Sequence, residues 1–231
     1  MTSPPSEPIP IIGGTGALGA GLAKRWAQAG AAMVLGSRSA ERAEEAAAKV
    51  REAVPGADVT GLENGEAAGK AEIIFLTVPF RAQSENLNNL REVLRPGQIL
   101  VDCTVPLAAA VSGKATRSLG VWQGSAAQQA QEMVPEGVTV VAALHTVGAP
   151  TLADFDHELD EDIPICGDKK ADKARVAELI ELIPGLRAIN AGPLEMARIV
   201  EQLTPMLISI NSRYKAHSGI RFTGLPDGHW A

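Results

Sequence analysis

Aromatic side chains are scarce: four Phe, three Trp and one Tyr in 231 residues. Ala, Val, Leu and Ile must therefore fill the core, and chemistry based on tyrosine rests on Tyr214 alone. The two cysteines, Cys103 and Cys166, each follow an apolar run and share no metal-like spacing. That excludes a disulfide scaffold and points to free buried thiols in a reducing compartment, with no metal site. No segment approaches the roughly 18 apolar residues that a membrane span needs. A basic excess is also missing: the formal net charge is −6, which argues against a general nucleic-acid binder. A local arginine cluster can still oppose that global sign at a small anionic ligand. Residues 1–8 carry three prolines and an acid, without a basic n-region or an apolar h-region. They read as a disordered leader rather than a signal peptide, and the chain as cytoplasmic.

What is present is ordinary globular composition, 45% hydrophobic and 21% charged, in a chain long enough for a large core. The organising stretch runs from Ile9 to Ser37. An apolar run, Ile9 to Ile12, enters Gly14-Thr15-Gly16-Ala17-Leu18-Gly19, and a helical pattern with Leu18, Leu22 and Trp26 leaves it. A second apolar run, Ala31 to Leu35, ends in Gly36-Ser37-Arg38. Strand, glycine turn, helix, strand is the context of a dinucleotide-binding G-x-G-x-x-G. Gly14 is assigned the tight turn, Gly16 the close approach to a pyrophosphate, and Gly19 the packing of helix on sheet. The pyrophosphate then sits on the helix N-terminus, where free N–H groups favour an anion. At the end of the second strand an acid selects NAD and an arginine accommodates the 2′-phosphate of NADP. Ser37 and Arg38 stand there with no acid, and Arg42 follows in the first turn of a helix capped by Ser39, so the reading is NADP.

The rest of the chain continues the alternation. A short strand at 58–60 and a helix near 64–70 precede Ile73 to Val78, an apolar run suited to a strand covered on both faces. Thr77, Val78 and Pro79 then fall at the carboxyl edge of the sheet, where ligands bind. Further on come a helix with Leu87, Leu90 and Leu94 on one face, and a strand at 99–103. Residues 104–124 form a long irregular stretch, either a lid or substrate-facing loop or simple disorder. Ser125 and Gln128 make a capping box for a helix to Val134, and a strand at 138–143 runs into Leu144-His145-Thr146-Val147-Gly148. The acidic stretch 154–162 reads as a solvated connection. A strand at 163–166, a helix at 168–183 and a strand at 186–190 come next. A long apolar helix starts at Gly192-Pro193 and passes through Ile210, kinked at Pro205. The fold class is α/β: a Rossmann-type, doubly wound, mainly parallel sheet over 9–150, then a smaller C-terminal α/β domain over 151–231 ending in that helix.

Missing residues narrow the chemistry. The Tyr-x-x-x-Lys of short-chain dehydrogenases is absent, since Tyr214 has Lys215 next and Ser218 at the fourth position. No lysine lies between Lys173 and Lys215, where β-hydroxyacid dehydrogenases place one on a long helix. Reduction of a carbonyl or imine calls for a positioned proton donor, whereas hydride exchange between two ring cofactors needs position and exclusion of water. The residues leave open a cofactor-to-cofactor exchanger, an NADPH-dependent reductase of a small imine, carbonyl or flavin, and a non-catalytic NADP sensor.

Over nearly its whole length the chain resembles the F420-dependent NADP reductases. The resemblance lies in Gly13 to Ala23, Gly36-Ser37-Arg38, Leu76-Thr77-Val78-Pro79, Ala143-Leu144-His145-Thr146, Ile165 to Asp168, Gly185-Leu186-Arg187, Ala191 to Leu194 and Leu203-Thr204-Pro205. It implies direct hydride transfer between NADP(H) and the deazaflavin coenzyme F420, without acid–base catalysis, in a homodimer. Thr15, Ser37, Arg38 and Arg42 match contacts to the 2′-phosphate and backbone. Pro79, His145 and Val147 match walls of the nicotinamide–deazaflavin cleft, with His145 positioning a ring rather than relaying a proton. Arg198, Glu201 and Thr204 either approach the deazaflavin or, as a buried ion pair, orient the long helix.

Overall fold

The computed structural model describes residues 5–226. The leader expected at 1–8 lies partly outside these, as does the end of the tail. In chain order the elements are β1 (Ile9–Ile12), α1 (Ala17–Gln28), β2 (Met33–Ser37), α2 (Ala40–Ala53), β3 (Val59–Glu63), α3 (Asn64–Ala68), β4 (Ile73–Leu76) and α4 (Phe80–Leu90). They continue as β5 (Ile99–Asp102), α5 (Ala126–Met133), β6 (Thr139–Ala142), α6 (Ala149–Ala153), β7 (Glu161–Cys166), α7 (Lys170–Ile180), β8 (Leu186–Gly192) and α8 (Ala197–Tyr214).

The strands form one eight-stranded sheet in the order β3-β2-β1-β4-β5-β6-β7-β8. Every pairing is parallel except β6 with β7, which meet antiparallel at Ala142 and Cys166. The strand order reverses between β1 and β4, so a crevice opens there at the carboxyl edge of the sheet. The strands are apolar on both faces because helices cover both faces. One buried layer joins Ile11, Leu22, Trp26, Leu35, Phe75 and Ile180, and the other Ile12, Ile74, Leu76, Leu87, Leu100 and Val200. Aromatics are used sparingly, as the composition requires: Trp26 packs on Phe75 with ring centroids 4.7 Å apart.

The helix from Asp168 to Ile183 contracts to α7, because Asp168 turns aside to accept from Leu194 N–H at 2.9 Å. The long helix does not start at Gly192: that residue ends β8, a 3-10 turn spans Leu194–Met196, and α8 begins at Ala197. Pro205 sits inside α8, which continues to Tyr214. The acidic stretch 154–162 is not solvated throughout. Glu161 and Asp162 open β7 and are buried, and Asp162 forms a two-pronged pair with Arg187 at 2.8 and 2.7 Å. The irregular stretch 104–124 contains a 3-10 turn at Ala108–Val111 and a bridge between Leu107 and Ser118. It is tied to α8 by Ser118 donating to Gln202 at 2.6 Å. Among the described residues no helix is long and apolar enough to cross a membrane.

Candidate functional site

The glycine turn is built from the closeness of three strands. Gly13 makes the tight turn assigned to Gly14: its φ is +79°, a conformation that L side chains rarely adopt. Gly14 is needed for space instead, since a Cβ there would lie 3.0 Å from Leu35 Cδ2 and 3.1 Å from Ile11 O. Gly19 packs as read, because its Cβ would meet Thr77 Oγ1 at 2.7 Å and Gly14 Cα at 2.9 Å. Thr77 is locked in place by donating to Ile12 O at 3.1 Å. Gly14 and Gly19 are thus buried behind the turn, Leu18 is partly buried in the core, and Thr15, Gly16 and Ala17 face outward.

Gly16 is the N-cap of α1 and brings no capping side chain, and the first turn holds no acid. The N–H groups of that turn are left for an external acceptor. They open on a cleft of about 450 Å³ lined by Gly13, Thr15, Gly16, Ser37, Arg38 and Arg42 on one side and by Thr77, Val78 and Pro79 on the other. Arg38 and Arg42 are exposed, and Ser39 caps α2 by accepting from Arg42 N–H at 3.4 Å. Sequence reasoning missed Asn64, Arg81, Glu85 and Asn86 in the same cleft. A signal for two of them is present in the chain: Asn64 directly follows β3, and Arg81 directly follows Pro79-Phe80, both at the carboxyl edge. An uncapped helix N-terminus, a turn with no side chain at Gly16, and three guanidinium groups with no acidic partner among the described residues fit a dinucleotide carrying an extra phosphate.

A second, smaller cavity of about 90 Å³ lies where the loop after β6 meets α8 and the tail. His145, Val147 and Thr204 line it, joined by Glu161, Asn211 and His217. The loop is held in a strained form, with Leu144 at φ +65° although it is not glycine. Thr204 Oγ1 donates to His145 O at 2.8 Å, fixing the loop to α8. His145 is 5% exposed and neither ring nitrogen has a partner among the described residues. Burial pushes its pKa down to about 4, so the ring is neutral at physiological pH. Pro79 and His145 line different cavities, and Arg198 is exposed and lines neither. The ion pair between Arg198 and Glu201 does not form: Glu201 accepts from Ala126 and Ala127 N–H instead.

Between α4, the end of β5 and the start of α5 lies a buried polar knot. Gln83 Nε2 donates to Asp102, to Thr104 Oγ1 at 2.8 Å and to Ala126 O at 3.0 Å. Burial raises Asp102 to about 6 and Cys166 to about 12, so both thiols of the chain stay inert near neutrality, Cys103 being raised by burial as well. Among the described residues no group of His, Cys, Asp or Glu is placed to hold a metal ion.

Residues 8–106 match the family model described as NADP oxidoreductase, coenzyme F420-dependent. The chain is 42% identical over 224 residues to an F420-dependent NADP reductase of Methanothermobacter thermautotrophicus, covering 95% of this chain and 96% of that one. It is 41% identical to the F420-dependent NADP reductase of Methanocaldococcus jannaschii, over 94% of this chain and 98% of that one. A crystal structure of a candidate F420-dependent NADP reductase from an Arthrobacter species superposes with a TM-score of 0.76 at 25% identity, covering 94% of this chain and 100% of that one.

Proposed function

The chain belongs to the family of F420-dependent NADP reductases, and on that premise we propose that hydride passes directly between NADP(H) and coenzyme F420 held side by side at the carboxyl edge of the sheet. The protein is an oxidoreductase, with NADP(H) and F420 as its two cofactors. The observation that carries the NADP half is the uncapped N-terminus of α1 opening on a cleft ringed by Arg38, Arg42 and Arg81.

In this reading the turn from Gly13 to Gly19, with Ala17 and Leu18 starting α1, seats the pyrophosphate. Thr15, Ser37, Arg38 and Arg42 hold the adenosine 2′-phosphate, and Thr77, Val78 and Pro79 floor the passage toward the nicotinamide. His145 and Val147 wall the deazaflavin side, with Thr204 and the described part of the C-terminal segment completing it, and Arg198, exposed on α8 and outside both cavities, meets only a part of the bound cofactor that extends beyond them. The nicotinamide and deazaflavin rings supply the donor and acceptor carbons. The protein contributes orientation and a dry contact between them. A neutral His145 whose ring has no hydrogen-bond partner among the described residues suits a wall, and its remaining ring N–H is too weakly acidic to be given up at neutral pH. The exposed Ile199 and Met206 of α8, in register with Leu203 and Ile210, supply an apolar stripe for a second copy in a homodimer. A single species of monomer mass in sedimentation would exclude that dimer. The chain works in the cytoplasm in this reading.

Anaerobic mixing with NADPH and oxidised F420 tests the reaction. The deazaflavin absorbance should fall in one-to-one proportion to NADPH oxidised. No bleaching, with turnover of an imine, carbonyl or flavin instead, would overturn the assignment.

A further inference from the structure

Glu201 is an ionisable side chain that lines neither cavity. It is 1% exposed, and a buried carboxyl needs partners. Its partners are backbone groups: Oε2 accepts from Ala126 N–H at 3.1 Å and Oε1 from Ala127 N–H at 3.2 Å. These are the first two residues of α5, whose free N–H groups and dipole favour a carboxylate. One turn along the same face of α8, Thr204 holds the carbonyl of His145. Helix α8 thus grips two pieces of the carboxyl edge from adjacent positions, the start of α5 and the loop bearing His145 and Val147. Gln83 fixes the α5 attachment from behind through Ala126 O, Thr104 and Asp102.

We propose that Glu201 is a positioning residue for the deazaflavin side of the site: it sets where α8 stands and, through Thr204, where the His145–Val147 loop stands, without touching either cofactor. The proposal rests on the reading that this loop walls the deazaflavin. The groups facing Glu201 are the two N–H groups of α5, Asp102 at the end of β5 and Cys166 of β7, with Lys173 of α7 beyond Cys166. Burial, with Asp102 adding to it, raises Glu201 to about 8, whereas Asp102 itself ionises near 6 and Cys166 near 12. Glu201 is therefore the member of this group that changes charge between pH 7 and 9. Ionised, both of its oxygens accept from α5. Protonated, one oxygen carries a hydrogen that opposes an N–H, and the grip loosens.

The test is equilibrium titration of the full chain with F420 alone and with NADP+ alone at pH 7 and pH 9, for wild type, Glu201→Gln and Thr204→Val. Glutamine imitates the protonated acid. The ratio of variant to wild-type Kd for F420 should be near one at pH 7 and rise to about tenfold at pH 9, the scale of one charge-assisted hydrogen bond. The Kd for NADP+ should move less than about twofold, the usual scatter for a site with no shared partner. Amide exchange at Ala126 and Ala127 should quicken in Glu201→Gln at pH 9. Combining Glu201→Gln with Thr204→Val should cost less than the two singles together, since both act through one loop. Wild-type F420 affinity in Glu201→Gln at both pH values would overturn the proposal, as would equal loss for both cofactors. A wild-type protein that binds no F420 would instead bring down the functional reading, and this inference with it.

Discussion

At the scale of single residues, the proposed choice of NADP rests on two arginines that have no acidic partner among the described residues. Arg38 and Arg42 project into the cleft at the end of β2, and no carboxylate stands at the position that would read a ribose 2′-hydroxyl. Arg38→Ala should raise the KM for NADPH by one to two decades, roughly the scale of one or two charge-assisted contacts, and leave the KM for NADH nearly unchanged. Equal effects on both, measured in steady state, would mean that Arg38 does not read the phosphate. His145 makes the opposite kind of prediction. Its ring is neutral and its remaining N–H is too weak an acid to serve as a proton relay, so His145→Ala should weaken F420 binding while sparing single-turnover hydride transfer at saturating cofactor. Abolished transfer with both cofactors bound normally would assign it a chemical role.

At the scale of elements, Arg25 is the staple between α1 and α6. It sits in the last turn of α1, is 7% exposed, and donates to Leu152 O at 3.0 Å, Thr151 O at 2.9 Å, His157 O at 3.0 Å and Asp154 O. One guanidinium thus satisfies carbonyls at the C-terminus of α6 while its charge suits the C-terminus of α1. Gly21 lets the two helices approach, since a Cβ there would meet Leu152 Cβ at 2.8 Å. Because α6 directly follows His145 to Gly148, this staple also fixes the strained loop of the second cavity. Arg25→Ala strands several buried carbonyls and should cost about 2–4 kcal/mol, read as a lower urea midpoint with an unchanged slope. The tail is pinned by the same logic on the far side: Asp162 N–H donates to Ile220 O at 2.7 Å, and Arg187 to Phe222 O at 2.8 Å. No periodic pattern in the chain marks that attachment, because backbone partners leave no trace in the order of side chains.

At the scale of the whole molecule, buried ionisable groups set how stability varies with pH. His145, lowered to about 4, contributes stability that is present above its ordinary pKa of 6.5 and lost as pH falls through 4. Asp102 and Glu201, raised to about 6 and 8, contribute stability present at low pH and lost as pH rises through those values. From pH 6.5 to 8 Glu201 dominates, so the unfolding free energy should decline by up to about 1.4 kcal/mol per pH unit. Urea melts across that range should show the decline in wild type and its loss in Glu201→Gln; a flat wild-type profile would contradict it.

The same scale separates what the chain spells out from what folding decides. The glycine turn, the helix caps at Ser39 and Ser125, the alternation of strands and helices and the arginines after β2 are legible because each is a local pattern, read within a few residues of itself. Strand edges, the tight turn at Gly13 rather than Gly14, and the start of α8 depend on neighbours in the sheet and shift by a few residues. The burial of Glu161 and Asp162 within an acidic run, and the pairing of Glu201 with α5 rather than with Arg198, cannot be read locally at all. The atoms joined by Glu201 lie 75 positions apart in the chain, and only the antiparallel addition of β7 to the edge of β6 brings them together. The order of residues alone determines that a glycine turn, a helix end and two cations stand close together, the set on which the proposed phosphate site rests, because each lies near the others in the chain. Tertiary packing dictates which buried groups stand behind the second cavity, because a carboxyl removed from water takes whichever donors the packed elements present to it.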